Sequence, residues 1–428
     1  MNMNYNTYTL ANGLRIIHLP SAQPVVYCGY AVGAGTRDEE LGREEGMAHF
    51  CEHITFKGTE RRSSMQILGH LESVGGDLNA FTNKEETVYH AAVLKENIDR
   101  AVDLLTDIVF HSTYPQAEID KEVEVIVDEI ESYNDSPAEL VYDLFENAIY
   151  NGHSLGHNIL GTAEQLRTYT TEDALRFTRR YYRPDNSVFF AYGDVDFGKL
   201  VRLLERANAV AADSSQQQSS AEGPAIDVNK EKSAMSLPPY VAQHINHHMD
   251  THLAHVMLGN RAYDVHDNRR IALYLLNNIL GGPGMNARLN ISLRERHAFV
   301  YTVESMMQSY SDTGLWAVYF GCDPKNVDKC LRLIRHELDK VMEKPLSEAQ
   351  LHAAKKQIRG QIGIACDSRE SFALDFAKGF LHYDRSPLAV LSLRDSILFF
   401  FLIVRLLAKC VALPTIGRFY YCFCQSPF

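Results

Sequence analysis

The alternation of apolar and polar residues predicts strands in two parts of the first half of the chain. Residues 5–33 are rich in β-branched and aromatic residues, and a turn signal at Asn12-Gly13 precedes two strands, 14–19 and 25–32. Residues 77–93 also alternate, and their polar centre at Asn83-Lys84 predicts a pair of strands joined by a turn.

Between these strands, apolar residues recur at helical spacing. The helices predicted on this basis are 45–56, 63–74 and 95–110, followed by a long helix that begins after Pro115. The long helix carries the clearest apolar stripe, which comprises Ile119, Val123, Ile126, Val127, Ile130 and Tyr133. The sequence Asn-Asp-Ser-Pro at 134–137 interrupts this helix, and helical spacing then resumes.

The second half of the chain repeats the first. Its predicted strands and helices are strands at 240–245, 255–258 and 315–320 and helices at 268–280 and 326–341. Residues 95–108, KENIDRAVDLLTDI, align with residues 324–337, PKNVDKCLRLIRHE, and each segment follows a β-rich stretch. We therefore predict a duplicated α/β unit.

Composition marks the boundaries of the units. Residues 211–234 are polar, Ser/Gln-rich and poor in large apolar side chains, which is typical of a linker. The predicted division is a first unit at 1–210, a linker at 211–234, a second unit at 235–385 and an atypical apolar tail at 386–428.

Within the tail, residues 397–413 are apolar nearly all round. A membrane span needs about 20 such residues, and this segment is shorter and carries Arg405 in its middle. The alternatives are a membrane anchor and a buried or non-native segment, and we favour the second.

The net charge and the spacing of the cysteines argue against two classes of protein, nucleic-acid-binding proteins and disulfide-rich proteins. The 428 residues carry a net charge of −12, which argues against a nucleic-acid-binding protein. The eight cysteines are scattered and do not suggest a disulfide framework. Because the first residues lack the features of a signal or transit peptide, we expect a cytoplasmic location.

The stretch HFCEH, residues 49–53, carries the pattern H-x-x-E-H. Residues three and four apart lie on one face of a helix, so His49 and His53 can bind one metal ion with Glu52 beside them. Short motifs also occur by chance, and the alternative is a pair of ordinary, partly buried histidines.

A peptidase zinc site takes three protein ligands and keeps one position open. Glu129 is the best candidate for the third, because it lies on the long amphipathic helix whose apolar face must pack inward. Glu122, seven residues earlier, shares that face and could hydrogen-bond a ligating histidine. Glu52 then remains available as the general base of hydrolysis. The alternative for Glu122 and Glu129 is a solvated helix face.

These residues resemble the inverted-zincin metallopeptidases of the insulinase/pitrilysin type. The resemblance rests on HFCEH, on EVEVIVDE at 122–129 and on the 75 residues between His53 and Glu129. It covers about residues 5–385, and the length of the chain is closest to that of the short, two-unit members, such as processing peptidases. It implies one Zn²⁺ per chain and an α+β fold of two homologous α/β units, each a mainly antiparallel sheet with helices packed on one face.

Two further segments resemble the substrate-binding parts of that family. LNAFT, residues 78–82, resembles an edge strand that pairs with the substrate, so that Asn79 and Ala80 would bind peptide backbone. LRERHAFVYTV resembles a substrate-clamping segment, which assigns Arg294 and Tyr301 to transition-state stabilisation. The residues alone leave an alternative for each: a turn or strand-end residue for Asn79, a solvated helix charge for Arg294 and a core aromatic for Tyr301. The resemblance implies a site shared by the two halves, within one chain or across a dimer.

The sequence thus predicts a zinc endopeptidase acting on peptides or unfolded segments, with Glu52 as general base. One alternative is a catalytically silent subunit of the same fold, which the presence of His49, Glu52, His53 and Glu129 argues against. The other is a metal-binding scaffold without hydrolysis. The expected partners are peptide substrates and a second subunit, as a homodimer or with a non-catalytic homologue. Neither nucleic acid nor membrane contact through the tail is expected.

Overall fold

The structure is a computed structural model that describes residues 4–215, 237–249, 251–383 and 421–423. The described residues fall into two compact units. The first takes those within Met1–Glu131, His153–Leu237 and Asp367–Ala389, and the second takes those within Ser132–Gly152, Pro238–Cys366 and Val390–Phe428.

The strands are β1 Asn6–Thr9, β2 Arg15–Pro20, β3 Val25–Val32, β4 Asp77–Thr82, β5 Thr87–Leu94, β6 Ser187–Gly193, β7 Ile245–His247, β8 Ala254–Ala262, β9 Val300–Ser309, β10 Gly314–Cys322 and β11 Tyr421–Phe423. The helices are α1 Met47–Thr55, α2 Ser64–Glu72, α3 Ile98–His111, α4 Gln116–Asn134, α5 Pro137–Ile149, α6 Ala163–Leu166, α7 Thr171–Tyr181, α8 Phe197–Ser215, α9 Arg269–Gly281, α10 Val327–Glu343, α11 Glu348–Ala365 and α12 Arg369–Tyr383.

The sheet of the first unit has the strand order β1-β2-β6-β3-β5-β4. Its neighbours are antiparallel except for the parallel pair β2 and β6. One face of the sheet packs against α1, α3 and α4 through buried residues such as Phe50, Leu105 and Ile126. This packing sets the motif helix α1 and the long helix α4 in one core and leaves β4 at the edge of the sheet.

The opposite face of this sheet is covered by α12, which follows the second unit in the chain. Phe376 and Phe380 of α12 are buried against Ile17, Val188 and Phe190 of the sheet. Full burial of one such side chain contributes about 1.5–3 kcal/mol. The first unit therefore depends on a segment that lies more than one hundred residues beyond its other elements.

The sheet of the second unit has the order β7-β11-β8-β10-β9. Its core packs one face against α9 and α10, with Leu280 and Ile334 among the buried residues. Helix α5 packs directly on β8, where Gly259 leaves room for the ring of Phe145. A Cβ atom at Gly259 would lie only 2.9 Å from Cζ of Phe145. The second unit thus has the same plan of a mainly antiparallel sheet, with β7 and β11 as its parallel pair, and a helical layer.

The predicted duplication is confirmed by the local structure of its two copies. Helix α3 follows strand β5 through a short 3-10 turn at Lys95–Asn97, and helix α10 follows strand β10 through the same kind of turn at Pro324–Asn326. The predicted hairpin at 77–93 and the long helix after Pro115 are also confirmed.

Other predictions differ from the structure or lie outside it. The strand predicted at 240–245 is shifted, because β7 begins only at Ile245. Strand β9 and helices α11 and α12 are not among the predicted elements. Helix α8 continues to Ser215 through the start of the predicted linker, and 216–234 lie outside the described residues. So does the tail 386–428, apart from β11. The division into 1–210 and 235–385 follows the sequence repeat and stays a prediction.

Among the helices that the structure describes, none is both long enough and apolar enough to cross a membrane. The apolar segment 397–413 lies outside the described residues.

Candidate metal centre

The N-terminus of the motif helix α1 is held by a buried carboxylate. The first N–H groups of a helix have no partner within it, and here Glu39 accepts hydrogen bonds from the N–H groups of Gly46 at 2.9 Å and Ala48 at 2.8 Å. Gly46 has a φ of 86°, which favours glycine. His157 Nε2 lies 2.7 Å from Glu39 Oε2. These contacts fix the position from which α1 presents its side chains.

The two motif histidines of α1 and Glu129 of α4 converge on one point. Glu129 Oε2 lies 3.9 Å from His49 Nε2 and 3.5 Å from His53 Nε2. One donor atom from each of the three residues lies within 4.8 Å of the others. The sequence spacing therefore predicted residues that the fold brings together.

The donor set fits a zinc ion. Zinc takes imidazole nitrogen and carboxylate oxygen at about 2.0–2.2 Å, which puts neighbouring ligand atoms of a tetrahedral site about 3.3–3.6 Å apart. The separations at Glu129 are at or slightly above this range. Burial, with a further contribution from His53, lowers the pKa of His49 to about 3, so its ring is neutral, as a metal ligand must be.

Glu122 orients the second histidine. Its Oε1 lies 3.1 Å from His53 Nδ1, and its Oε2 lies 2.6 Å from Nζ of Lys57. Burial opposes ionisation, but the hydrogen bonds from His53 and Lys57 hold the pKa of Glu122 below its ordinary value. Because an ionised carboxylate only accepts, His53 Nδ1 donates to Glu122. In the neutral ring that a metal ligand must have, Nε2 then carries the lone pair, and this nitrogen faces Glu129.

Glu52 stands beside the histidines and is not one of the three converging donors. It is 9% exposed, and its Oε2 accepts a 2.6 Å hydrogen bond from Oγ1 of Thr82. Burial raises the pKa of Glu52, and the hydrogen bond from Thr82 only partly opposes this. A carboxylate whose pKa is moved toward neutrality is suited to accept and return a proton.

The residues predicted to bind substrate lie in two places. Asn79 and Ala80 are on the edge strand β4, where the Ala80 N–H donates to Oδ1 of Asn79 at 2.8 Å. Arg294 and Tyr301 belong to the second unit. There the guanidinium carbon of Arg294 lies 5.8 Å from the centre of the Tyr301 ring, and both line a pocket of about 400 Å³.

Four side chains at this centre were missed by the sequence reasoning: Glu39, Lys57, Thr82 and His157. One of them lies within a segment already singled out, since Thr82 ends LNAFT. Lys57 follows His53 by four residues, so that it lies near His53 just after the end of α1 at Thr55. Glu39 gave no comparable signal.

Comparison with known families accounts for both halves of the chain. The profile of the insulinase family, peptidase family M16, matches residues 16–163. A second profile, the peptidase M16 inactive domain, matches residues 168–358. The two matches coincide with a first half that carries H-x-x-E-H and a second half that lacks it.

Relatives and solved structures agree with these matches. An uncharacterized zinc protease of Bacillus subtilis is 32% identical over 85% of this chain and 85% of that protein. One from Streptomyces coelicolor is 34% identical over 82% of this chain and 75% of that protein.

Two solved structures share the fold. A protease from Helicobacter pylori has a TM-score of 0.80 at 20% identity and covers 99% of each chain. A peptidase M16 inactive domain from Pseudomonas fluorescens has a TM-score of 0.81 at 17% identity, covering 99% of this chain and 100% of that one. The predicted fold and resemblance are confirmed: the chain belongs to the insulinase family of zinc metalloproteases, peptidase family M16.

Proposed function

We propose that this protein is a zinc-dependent endopeptidase that hydrolyses peptides or unfolded polypeptide segments, with one zinc ion per chain. The observation that carries the proposal is the convergence of His49, His53 and Glu129 within 4.8 Å, beside the buried carboxylate of Glu52, which is not one of the three converging donors. A catalytically silent subunit would have no need to keep all four groups in this arrangement.

Each residue then has a defined part in hydrolysis. When bound by His49, His53 and Glu129, zinc supplies a Lewis acid that polarises the peptide carbonyl and acidifies water. Glu52 takes the proton from the attacking water and gives it to the leaving amine as the C–N bond breaks. Glu122 holds the imidazole of His53 in the tautomer that leaves Nε2 free.

The edge strand β4 supplies a place for an extended substrate. An edge strand offers unpaired backbone groups to a peptide that adds as a further strand. In this structure the Asn79 side chain occupies the Ala80 N–H, so a peptide would displace that local hydrogen bond. An extended or unfolded segment can pair with β4 in this way. A folded helix cannot, because its backbone N–H and C=O groups are already hydrogen-bonded within the helix.

Removal of zinc is expected to abolish the activity. Treatment with a chelator should reduce cleavage of an unstructured fluorogenic peptide to background, and added zinc should restore it, because the Lewis acid that activates both the carbonyl and the attacking water would be lost. The measurement is the rate of cleavage before chelation, after it and after zinc addition. Cleavage that continues unchanged in the zinc-free protein, verified by metal analysis, would contradict the proposal.

Arg294 is proposed to stabilise the transition state. The variant Arg294→Ala should lower kcat/KM by about 10²–10³-fold, the usual cost of losing one such donor, and should keep its zinc. Arg296→Ala, which removes an exposed arginine two residues away, is the matched control and should stay near wild type. Loss of zinc from Arg294→Ala, or equal effects of the two variants, would argue against the assignment.

A further inference from the structure

A threonine hydroxyl connects the edge strand β4 to the proposed general base. Oγ1 of Thr82, the last residue of β4, lies 2.6 Å from Oε2 of Glu52 on α1. Both side chains are buried, with Thr82 8% exposed and Glu52 9% exposed. This hydrogen bond therefore joins two buried side chains that belong to different elements of the first unit.

The direction of the hydrogen bond is determined by its surroundings. An ionised Glu52 only accepts, so the Thr82 hydroxyl donates its single proton to it. The other nearby hydroxyl, Thr87 Oγ1, lies 3.4 Å from Thr82 Oγ1 but donates its own proton to the Ala34 carbonyl at 2.9 Å. Neither hydroxyl has a second proton to offer, so the Thr82 donor is committed to Glu52.

Thr82 is also held rigidly. It is directly opposite Thr87 in the antiparallel pair of β4 and β5, and a β-branched side chain has few rotamers. Glu52, by contrast, has three side-chain torsions between its backbone and its carboxylate. A fixed donor on one carboxylate oxygen restrains those torsions and leaves the other oxygen, Oε1, outside the bond.

We infer that Thr82 is a positioning residue for the general base: it holds Oε2 of Glu52 so that Oε1 faces the attacking water. This inference rests on the proposed function. It also ties the base to the strand that would bind the peptide, because Asn79 and Ala80 precede Thr82 in β4. Residues that orient a reacting group from behind commonly change rates by one to two orders of magnitude.

The test compares three variants of the full-length, zinc-loaded protein. Thr82→Val removes the hydroxyl at nearly constant shape, Thr82→Ser keeps it, and Thr87→Val removes a neighbouring buried hydroxyl that does not contact Glu52. We expect Thr82→Val to lower kcat by about 10–100-fold with KM and zinc content unchanged. Thr82→Ser should recover most of the rate, and Thr87→Val should keep kcat while its melting temperature falls as much as that of Thr82→Val.

The possible outcomes separate this inference from the proposed function. If the wild type cleaves peptide in a zinc-dependent way and Thr82→Val keeps its kcat, the inference is wrong and the proposed function stands. Equal losses of kcat in Thr82→Val and Thr87→Val would show a merely structural role and also overturn it. If the wild type has no zinc-dependent cleavage, the proposed function fails and the inference fails with it.

Discussion

Replacing Glu52 by glutamine is expected to lower kcat for peptide cleavage by about 10²–10⁴-fold while zinc stays bound. Glutamine keeps the size of the side chain and an oxygen that can accept from Thr82, so the local packing survives. It cannot take a proton from water at neutral pH. Because His49, His53 and Glu129 supply the converging donors, the metal content should not change. Single-turnover cleavage rates and metal analysis of the same sample measure the two quantities.

The matched control for this variant is Glu72→Gln, which removes the same charge from an exposed position at the end of α2. Its rate should equal that of the wild type. A Glu52→Gln variant with normal turnover would exclude Glu52 as the base and would favour a metal-binding scaffold or another proton acceptor. Loss of zinc from this variant would instead place Glu52 among the ligands.

The metal centre was predictable because its residues lie on regular helices. A helix repeats every 3.6 residues, so H-x-x-E-H fixes the relation of His49 to His53 without knowledge of the fold. The stripe of α4 predicted which side of that helix packs inward, and Ile119, Val123 and Ile126 are buried as expected. The family spacing then identifies Glu129 as the third ligand, although its neighbouring residues alone do not distinguish it from Glu131.

Helical spacing also predicts burial for two apolar residues that the structure leaves partly exposed. Tyr133 continues the stripe of α4 but is 36% exposed, because α4 passes out of the first unit after Glu131 and its last turn no longer packs on that core. Leu68 of α2 fits the helical spacing and is 44% exposed. Spacing alone identifies a candidate face, while burial depends on whether another element covers that turn.

Contacts between distant segments could not be predicted from local patterns. Thr82 is thirty residues from Glu52, and a threonine at the end of a strand is ordinary in sequence. Helix α12 was missed for a different reason, since its buried face combines Phe376 and Phe380 with the small residues Ala373 and Ala377. Small side chains let a helix approach a sheet closely but give little hydrophobic signal.

The second large effect is expected at Glu129. Glu129→Gln replaces the one anionic donor of the converging set by a neutral amide and should weaken zinc binding by more than 100-fold. It should therefore also abolish cleavage at limiting zinc. Glu122→Gln should be milder, with a loss of about 10–100-fold, because Glu122 contacts His53 and not the metal position. Competition with a chromophoric chelator gives the zinc affinity of each variant.

Glu124→Gln completes this series on α4. Glu124 is 61% exposed and pairs with Arg167, so its replacement should leave zinc affinity unchanged. The order of affinities is then wild type and Glu124→Gln together, Glu122→Gln below them and Glu129→Gln lowest. If Glu122→Gln lost more zinc than Glu129→Gln, Glu122 would be the ligand and the present assignment of the two carboxylates would be reversed. Such a reversal would require the His53 ring to flip or α4 to slide along its axis, because the two carboxylates share one face of α4 and Glu122 now contacts Nδ1 of His53 while Glu129 faces its Nε2.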